Sequence, residues 1–383
     1  MVKQDKRDRK MSFTKTLAEL DLEQINAKLC STADKNISLL CKKNQLSYTD
    51  LLALLNPKAI ELLAQLARRS EQLTRQHFGR AIHMYAPVYL SNECTNNCVY
   101  CGFNLEQAFQ RKTLSVKEME TEFEVLKNQG FDHVLLLTGE APLKVDLTYL
   151  ESAVSLASKF FAQVSLEIYP LGTEEYKRLV NAGASGLTIY QETYDRAIYK
   201  AVHLEGQKAD YEWRLAAPER ALEAGFRKVG LGILLGLADW RLDAAILATH
   251  AQYLMKKYWQ AELSLSFPRI SKAPENFASH VPVSEQDLVQ MVFAMRLFLP
   301  EINLVLSTRE GAILRDNLIG YGITQISAGS KTNPGGYQEL DTLEQFAVED
   351  ARDLTEVISA VNNKGYDIVL KDWDRTFQGV TCR

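Results

Sequence analysis

Three cysteines lie close together in the sequence, Cys94, Cys98 and Cys101, within the segment SNECTNNCVYCGFN. The chain has only six cysteines among 383 residues, and a chain of this length can bury a hydrophobic core without disulfide cross-links. Clustered thiols in a reducing compartment usually bind metal or carry out redox chemistry. The C-x3-C-x2-C spacing therefore predicts a metal or metal-cluster site in this segment.

The number of clustered thiols separates two kinds of metal site. A structural zinc site is normally closed by four Cys or His ligands, and no histidine lies near this segment. A [4Fe–4S] cluster commonly takes four thiolates, so three would leave one iron open to a small molecule. A zinc site with a distant fourth ligand, or three unrelated thiols, remains the alternative. We expect Cys30 and Cys41 to be buried in helices, and we leave Cys382, next to the last residue, out of the site.

From about residue 80 onward, short apolar runs typical of strands alternate with amphipathic helical stretches. Eight strands that alternate with helices indicate a (β/α)8 barrel, although an open doubly wound sheet has the same periodicity. The strands are predicted at 84–91, 133–138, 164–169, 186–191, 228–235, 262–267, 303–307 and 323–328. The helices are predicted at 115–129, 148–161, 173–182, 211–224, 241–258 and 284–299, with a shorter link at 311–322.

The two ends of the chain flank this alternating region. Residues 1–80 are predicted to form a helical N-terminal extension in which Pro57 separates two helices. The barrel is predicted over 81–332, and residues 333–383 are predicted to form a C-terminal extension that caps it. In this extension a helix near 342–363 precedes a short strand-like run at 368–370. We interpret both ends as parts of one domain.

Polar and small residues follow the predicted strands one after another. In a parallel barrel the chemistry lies on the loops at the carboxyl ends of the strands, so these residues should meet in one site. In strand order they are the cysteine segment, Gly139 with Glu140, Glu167, Gln191 with Glu192, Leu235, Arg269, Arg309 with Glu310, and Ser327 to Lys331.

The cysteine segment, with Tyr100 before the last cysteine, resembles the signature of the radical S-adenosylmethionine (SAM) superfamily. A more specific resemblance is to the tyrosine lyases of bacterial thiazole biosynthesis, and it covers nearly the whole chain after about residue 80. The segments that carry it occur in the same order in that family: APVYLSNECTNNCVYCGFN, LLLTGE, YQETY, KVGLGILLGL, LSTRE, SKTNPGGY and VLKDWD. The resemblance favours the closed barrel.

The resemblance also implies two cofactors, a [4Fe–4S] cluster and SAM. In the superfamily the three thiolates, here Cys94, Cys98 and Cys101, hold the cluster, and the amino and carboxylate groups of SAM chelate the fourth iron. Gly102 is expected to let the backbone pass close to the cluster. The expected SAM contacts are Tyr100 and Leu235 at the adenine, Thr138, Gly139 and Glu140 at the amino group, and Glu167 at the ribose hydroxyls.

The substrate of such an enzyme carries a carboxylate that needs a cationic partner. Arg309 has a planar donor fork that matches an amino-acid carboxylate, and Ser327 and Ser330 could add hydroxyl contacts. Gln191 and Glu192 are expected to reach either the tyrosine amine or the SAM ribose. Ordinary structural ion pairs are the alternative: Arg309 with Glu310 or Asp316, and Glu167 with Lys177 or Arg178.

The implied reaction cleaves the Cα–Cβ bond of L-tyrosine to 2-iminoacetate (dehydroglycine) and p-cresol, and it forms 5′-deoxyadenosine and methionine from SAM. Flavodoxin or ferredoxin would supply the electron, and thiazole synthase would receive the imine. A hydrogenase-maturase tyrosine lyase also needs a C-terminal cysteine motif, whereas only Cys382 follows Cys101 here. A tryptophan lyase and, outside enzymes, a zinc-binding scaffold are two more candidates.

Composition excludes several classes of partner. Lys and Arg number 44 against 48 Asp and Glu, so the net charge of −4 creates no positive field that would attract nucleic acid. No apolar run approaches the roughly 20 residues that a bilayer requires. The charged N-terminus has no signal-peptide stretch. We therefore expect a soluble, cytoplasmic protein without a nucleic-acid or membrane partner.

Overall fold

Eight parallel strands form a closed ring in the computed structural model, which describes residues 12–31, 37–270, 277, 279 and 281–371. Strand β1 pairs with both β2 and β8, and this pairing closes the sheet into a barrel. The predicted (β/α)8 barrel is therefore confirmed and the open doubly wound sheet is wrong. The strands are β1 (Ala81–Ser91), β2 (His133–Thr138), β3 (Gln163–Glu167), β4 (Gly186–Glu192), β5 (Lys228–Ile233), β6 (Glu262–Ser266), β7 (Asn303–Leu306) and β8 (Gln325–Ser327).

Helices surround the barrel and cover the apolar outer faces of its strands, as expected for a parallel sheet. Their starts follow local capping signals: Ser115 and Ser284 each form a capping box with the acidic residue three positions later. The helices after β1 are α6 (Val116–Gln129), α7 (Leu147–Phe160), α8 (Thr173–Ala182), α9 (Arg196–Val202), α10 (Tyr211–Leu215), α11 (Ala217–Ala224), α12 (Trp240–Lys257), α13 (Glu285–Phe298) and α14 (Ala312–Leu318).

The predicted helix at 211–224 is divided into α10 and α11, which meet at Ala216. Pro218 lies in the first turn of α11, where its missing N–H group is not needed but where it cannot continue the hydrogen bonds of a preceding helix. Arg214 therefore lies in the short helix α10, before the break.

The N-terminal helices pack on the outside of the barrel, mainly against α12 and α13. They are α1 (Phe13–Ala18), α2 (Leu22–Ser31), α3 (Ile37–Leu40), α4 (Tyr48–Leu55) and α5 (Leu63–Phe78), with a 3-10 turn at Pro57–Leu62. Phe13 is fully buried, stacks on His250 at 3.8 Å between ring centroids, and donates its N–H to Glu219. Contrary to prediction, Cys30 is exposed on α2, whereas Cys41 is half-buried.

The predicted helix near 342–363 begins only at Leu354, so that α15 spans Leu354–Asn363. The preceding residues 339–353, which we call the post-barrel loop, run irregularly because their N–H groups bond to barrel loops. Gln345 donates to the carbonyl of Thr332, and Glu349 donates to that of Thr308. The short strand β9 (Asp367–Val369) then pairs with the start of β1.

Within the described ranges, no helix combines the length and the apolar character needed to cross a membrane. Cys382, the cysteine next to the C-terminus, lies outside the residues that the structure describes.

The packing of Phe13 predicts that the N-terminal helices contribute to the stability of the barrel. Replacing Phe13 by Ala should lower the free energy of unfolding by about 3 kcal/mol, because a buried aromatic ring leaves a cavity. The midpoint of urea unfolding measures this change. Leu143→Ala is the control because Leu143 is 99% exposed, and its midpoint should stay at the wild-type value. Equal midpoints for both variants would contradict the prediction.

Candidate functional site

One cavity opens at the carboxyl end of the barrel and encloses about 1450 Å³, including space open to solvent. The cysteine loop (residues 92–114) forms one wall, and side chains from the ends of the strands form the others. Nearly all predicted site residues line it together: Cys94, Cys98, Tyr100, Cys101, Thr138, Gly139, Glu140, Glu167, Glu192, Arg309, Ser327 and Ser330.

Gln191 does not line the cavity. Residues in a strand alternate between its two faces, and Gln191 faces the helices, where it lies near Tyr194 and His250. Its neighbours Tyr190 and Glu192 face the cavity, as this alternation requires, and the strand has a bulge between them, with φ of 70° at Glu192. The predicted contact between Gln191 and a ligand in the cavity is therefore corrected, and Glu192 alone of the pair reaches it.

Leu235 is the second residue with a predicted ligand contact that lies outside the cavity lining. Its backbone bonds to Pro268 and Ile270, and its side chain is buried in the hydrophobic core. The neighbouring Leu234 lines the cavity instead and packs with Tyr100 and Ile270. The error is one residue, which in an extended chain reverses the direction of the side chain.

Arg111 holds the cysteine loop in shape from inside. Its guanidinium donates to the carbonyl oxygens of Asn92 and Phe103, each at 2.8 Å, and to that of Asn104 at 2.6 Å. These bonds join the two ends of the loop, because Asn92 follows β1 directly. The cysteine loop is therefore ordered by hydrogen bonds within the protein.

A second segment, residues 202–208, holds the cysteine loop from outside. Cys98 and His203 form an antiparallel bridge, and the N–H of Leu204 donates to the carbonyl of Asn97 at 2.9 Å. A Cβ on Gly206 would overlap the side chain of Asn96, so this close approach requires glycine. The thiols thus face the cavity from a loop that is fixed on both sides.

The thiols suit a metal cluster in their chemistry. Burial raises the pKa of the Cys94 and Cys98 thiols, so a bound metal is needed to stabilise their thiolates. Among the described residues, no group of three His, Cys, Asp or Glu side chains is arranged to hold a single ion. Three thiolates are the donor set that leaves one iron of a [4Fe–4S] cluster open.

Other features of the cavity also fit a bound ligand. The hydroxyl oxygens of Thr138 and Ser330 belong to cavity-lining residues and are buried without a hydrogen-bond partner in the described part of the chain. A Cβ on Gly139 would overlap the carbonyl of Glu93, so glycine lets the loop after β2 pass against the cysteine loop. At Gly102 the close neighbour is the carbonyl of Gln345, in the post-barrel loop.

Four buried charges alternate in sign beside the thiols. Arg214 donates to Glu140 at 2.8 Å, Lys208 donates to Glu192 at 2.7 Å, and Arg214 lies 4.0 Å from Glu192. Asn96 joins these pairs to the cysteine loop, since its amide donates to Glu140 at 2.8 Å and accepts from the N–H of Lys208 at 3.0 Å. This network presents both signs of charge to a ligand.

Sequence reasoning missed Arg214 and Lys208. Although burial opposes ionisation of Glu140, the charges of Arg214 and Lys208 hold the pKa of that carboxyl below its ordinary value. Both cations lie between β4 and α11, in a stretch without a spacing pattern. Only their position after the fourth strand could have indicated them.

Tyr100 is held in place by a chain of two hydrogen bonds. His203 Nδ1 lies 2.8 Å from the carbonyl of Tyr199, and His203 Nε2 lies 2.8 Å from the Tyr100 hydroxyl. Burial, with the nearby charges of Lys208 and Arg214, lowers the pKa of His203 to about 2, so the ring is neutral. Nδ1 therefore carries the proton toward Tyr199, and Tyr100 donates to Nε2.

Glu167 forms no ion pair with the two cations predicted as its alternative partners. Lys177 pairs with Glu174 and Arg178 with Glu151, so that alternative is wrong. Burial first, and then the charge of Glu192, raise the pKa of Glu167 from 4.5 to about 7. A cavity-lining carboxyl of this kind can accept hydrogen bonds from hydroxyl groups of a ligand.

Arg309 is likewise free of carboxylate partners in the part of the chain that the structure describes. Glu310 pairs with Arg269, and Asp316 pairs with Arg352, so both alternative ion pairs are wrong. The guanidinium carbon lies 3.4 Å from the ring centroid of Phe346. Ser330 lines the same cavity and its hydroxyl has no hydrogen-bond partner among the described residues, whereas the Ser327 hydroxyl accepts from the N–H of Thr308 at 3.3 Å.

The raised pKa of Glu167 predicts a dependence of stability on pH. Between about pH 4.5 and 7 the unfolded chain releases this proton before the folded one, so the contribution of Glu167 falls as pH rises. Glu167→Gln should therefore be more stable than wild type at pH 8, by up to about 3 kcal/mol, and should lose this advantage near pH 5. Urea unfolding without added SAM measures the difference.

Glu174→Gln is the matched control for this measurement, because Glu174 is exposed on α8. Its midpoint should follow wild type at both pH values. A constant difference between Glu167→Gln and wild type across this range would contradict the assigned pKa.

Comparison with known proteins agrees with this geometry. The sequence model of the Radical SAM superfamily matches residues 88–246, and that of the Biotin and Thiamin Synthesis associated domain matches residues 266–367. The 2-iminoacetate synthases of Salmonella typhimurium and Escherichia coli are each 40% identical to this chain over 365 residues, which cover 95% of this chain and 97% of each relative.

A similar solved structure is that of the FeFe-hydrogenase maturase HydG from Carboxydothermus hydrogenoformans. It is 30% identical and has a TM-score of 0.87, covering 94% of this chain and 86% of the maturase chain. The crystal structure of methylornithine synthase, 21% identical with a TM-score of 0.71, shares the fold.

Proposed function

The chain belongs to the radical SAM superfamily and, within it, to the family of the 2-iminoacetate synthases, and we propose that it shares their reaction. The substrate is L-tyrosine, whose Cα–Cβ bond is cleaved to 2-iminoacetate and p-cresol, while SAM yields 5′-deoxyadenosine and methionine. One observation carries the proposal: a single cavity holds three thiols on one wall and, on another, an arginine without a carboxylate partner among the described residues.

Cys94, Cys98 and Cys101 are the proposed ligands of a [4Fe–4S] cluster. A cluster held by these thiolates would supply the electron for the reductive cleavage of SAM that starts the reaction. Arg111 and the 202–208 segment hold the cysteine loop, and with it the three proposed cysteine ligands, in place.

The methionine part of SAM carries an ammonium and a carboxylate, and the charged network next to the thiols offers partners for both. Glu140 and the buried hydroxyl of Thr138 are the proposed acceptors for the ammonium. Arg214 and Lys208 are the proposed partners for the carboxylate. Their existing pairs with Glu140 and Glu192 keep these charges compensated before SAM binds.

The nucleoside part of SAM needs an apolar wall and acceptors for its hydroxyls. Tyr100, Leu234 and Ile270 pack together at the cavity and are the proposed wall for the adenine. The carboxyl of Glu167 is the proposed acceptor for the ribose hydroxyls, with Glu192 beside it. Leu234 thus takes the role that the sequence predicted for Leu235.

The tyrosine carboxylate is proposed to bind Arg309, with Ser330 as a hydroxyl donor. Packing on Phe346 restricts the guanidinium, so less freedom is lost when the substrate binds. Ser327 is a weaker candidate for direct contact, because its hydroxyl already accepts from the backbone of Thr308.

The proposed reaction also requires partners and a compartment. A one-electron donor, flavodoxin or ferredoxin, is proposed because the reductive cleavage of SAM consumes one electron. Thiazole synthase is the proposed recipient of 2-iminoacetate, since an imine hydrolyses in water. The cytoplasm is the proposed location, because thiol ligands require a reducing compartment.

The reaction itself is the first test. Anaerobically reconstituted protein should contain about four iron atoms and four sulfides per chain. After reduction, incubation with SAM and tyrosine should yield p-cresol and 5′-deoxyadenosine in equal amounts. Deoxyadenosine without p-cresol would contradict the substrate assignment, and the same assay with tryptophan then tests the tryptophan lyase. Stoichiometric zinc without iron would contradict the enzyme assignment altogether.

The role of Arg309 gives a sharper prediction. Arg309→Ala should raise the KM for tyrosine about 30-fold, since a charge-assisted bond to a carboxylate contributes about 2 kcal/mol. Iron content should remain at the wild-type level, because the Arg309 guanidinium packs on Phe346 and forms no hydrogen bond to the cysteine loop among the described residues.

Arg178→Ala is the matched control, since Arg178 is an arginine on the outer helix α8 that pairs with Glu151. Its KM for tyrosine should equal that of wild type. An unchanged KM in Arg309→Ala would remove Arg309 from the substrate site.

A further inference from the structure

Gln345 lies in the post-barrel loop, yet its side chain reaches the cysteine loop. The Tyr89 hydroxyl donates to Gln345 Oε1 at 2.7 Å, and Gln345 Nε2 lies 3.8 Å from Cys101 Sγ, within the range for a sulfur acceptor. Tyr89 and Gln345 both line the cavity. The amide thus bridges a barrel strand and the third cysteine.

The backbone of Gln345 is fixed as well. Its N–H donates to the carbonyl of Thr332 at 2.9 Å, in the loop after β8. Its carbonyl oxygen occupies the position that a Cβ on Gly102 would take, so the two backbones are in direct contact next to Cys101. The position of the Gln345 backbone is therefore fixed relative to the cysteine loop.

Tyr89 determines which end of the amide faces the sulfur. A tyrosine hydroxyl carries a proton at neutral pH, so Tyr89 is the donor in its hydrogen bond to Oε1. The Tyr89 ring packs edge-on against Phe103 at 5.9 Å between centroids, which restricts its movement. With Oε1 occupied, the NH2 group of Gln345 is directed toward Cys101.

We propose that Gln345 is a positioning residue that donates an N–H···S hydrogen bond to the Cys101 ligand of the iron–sulfur cluster and makes the cluster easier to reduce. A donor at a ligating sulfur stabilises the more negatively charged, reduced state and so raises the reduction potential. Phe103 N–H, 3.4 Å from the same sulfur, acts in the same direction. The proposal rests on the proposed cluster but not on the identity of the substrate.

The test is a redox titration of the reconstituted full chain, in which electron paramagnetic resonance follows the reduced cluster. In Gln345→Leu the ratio of reduced to oxidised cluster at a fixed potential should fall roughly tenfold, a shift of about 59 mV to more negative potential. Tyr89→Phe should shift the potential in the same direction by less, because the amide keeps its donor but loses its orientation.

Gln338→Leu is the matched control. Gln338 is a half-buried glutamine just before the post-barrel loop, and its amide donates to Glu118 and Glu122 on α6. Its reduction potential should equal that of wild type. Iron and sulfide content, measured on every sample, separates a change in potential from a loss of cluster.

The outcomes are distinct. Equal potentials in wild type, Gln345→Leu and Tyr89→Phe, or shifts to more positive values, would overturn the proposal. If Gln345→Leu loses iron, Tyr89→Phe decides alone by the same criterion. Wild-type protein that holds no iron–sulfur cluster would instead overturn the proposed function, whereas shifted potentials without p-cresol formation would overturn only the substrate.

Discussion

The site depends on the compensation of charges that are buried together. Glu140, Arg214, Glu192 and Lys208 alternate in sign, and Asn96 ties them to the cysteine loop. Removing one partner would leave another buried charge unpaired, at a typical cost of about 3–5 kcal/mol. The orientation of the thiols and the charges proposed to bind SAM are therefore one structural unit, built from two barrel strands, the link between β4 and α11, and the loop itself.

The same compensation of charge explains why Arg309 is the cation that we propose for the substrate carboxylate. Arg269 neutralises Glu310, and Arg352 neutralises Asp316, so these two carboxylates, which lie close to Arg309 in the sequence, already have partners. Phe346 then covers one face of Arg309 without competing for its N–H donors. Because Gln345 and Phe346 are adjacent, one dipeptide of the post-barrel loop contacts both the cysteine loop and the proposed substrate cation.

Much of this arrangement could be predicted from the amino-acid sequence. The period of the apolar residues located all eight barrel strands to within a few residues, since strands buried on both faces read as short continuous apolar runs. The parallel barrel then required the strand-end residues to meet. The post-barrel loop was mistaken for a helix because its apolar spacing is helical, while its hydrogen bonds to Thr308 and Thr332 join residues far apart in sequence.

The sequence by itself determined the eight strands that alternate with helices, the loop that carries three thiols, and most of the side chains at the mouth, because these depend on local spacing and on the direction of parallel strands. Its periodicity left the open sheet possible, and only the pairing of β1 with β8 closed the barrel. Tertiary structure decided the rest. The orientation of β4 in the barrel placed Glu192 rather than Gln191 in the cavity, and a shift of one residue in an extended segment placed Leu234 there rather than Leu235. Folding also brought Arg214, Lys208 and Gln345 into the same cavity as the thiols. Such contacts join residues that lie far apart in the sequence, so no local sequence pattern can indicate them.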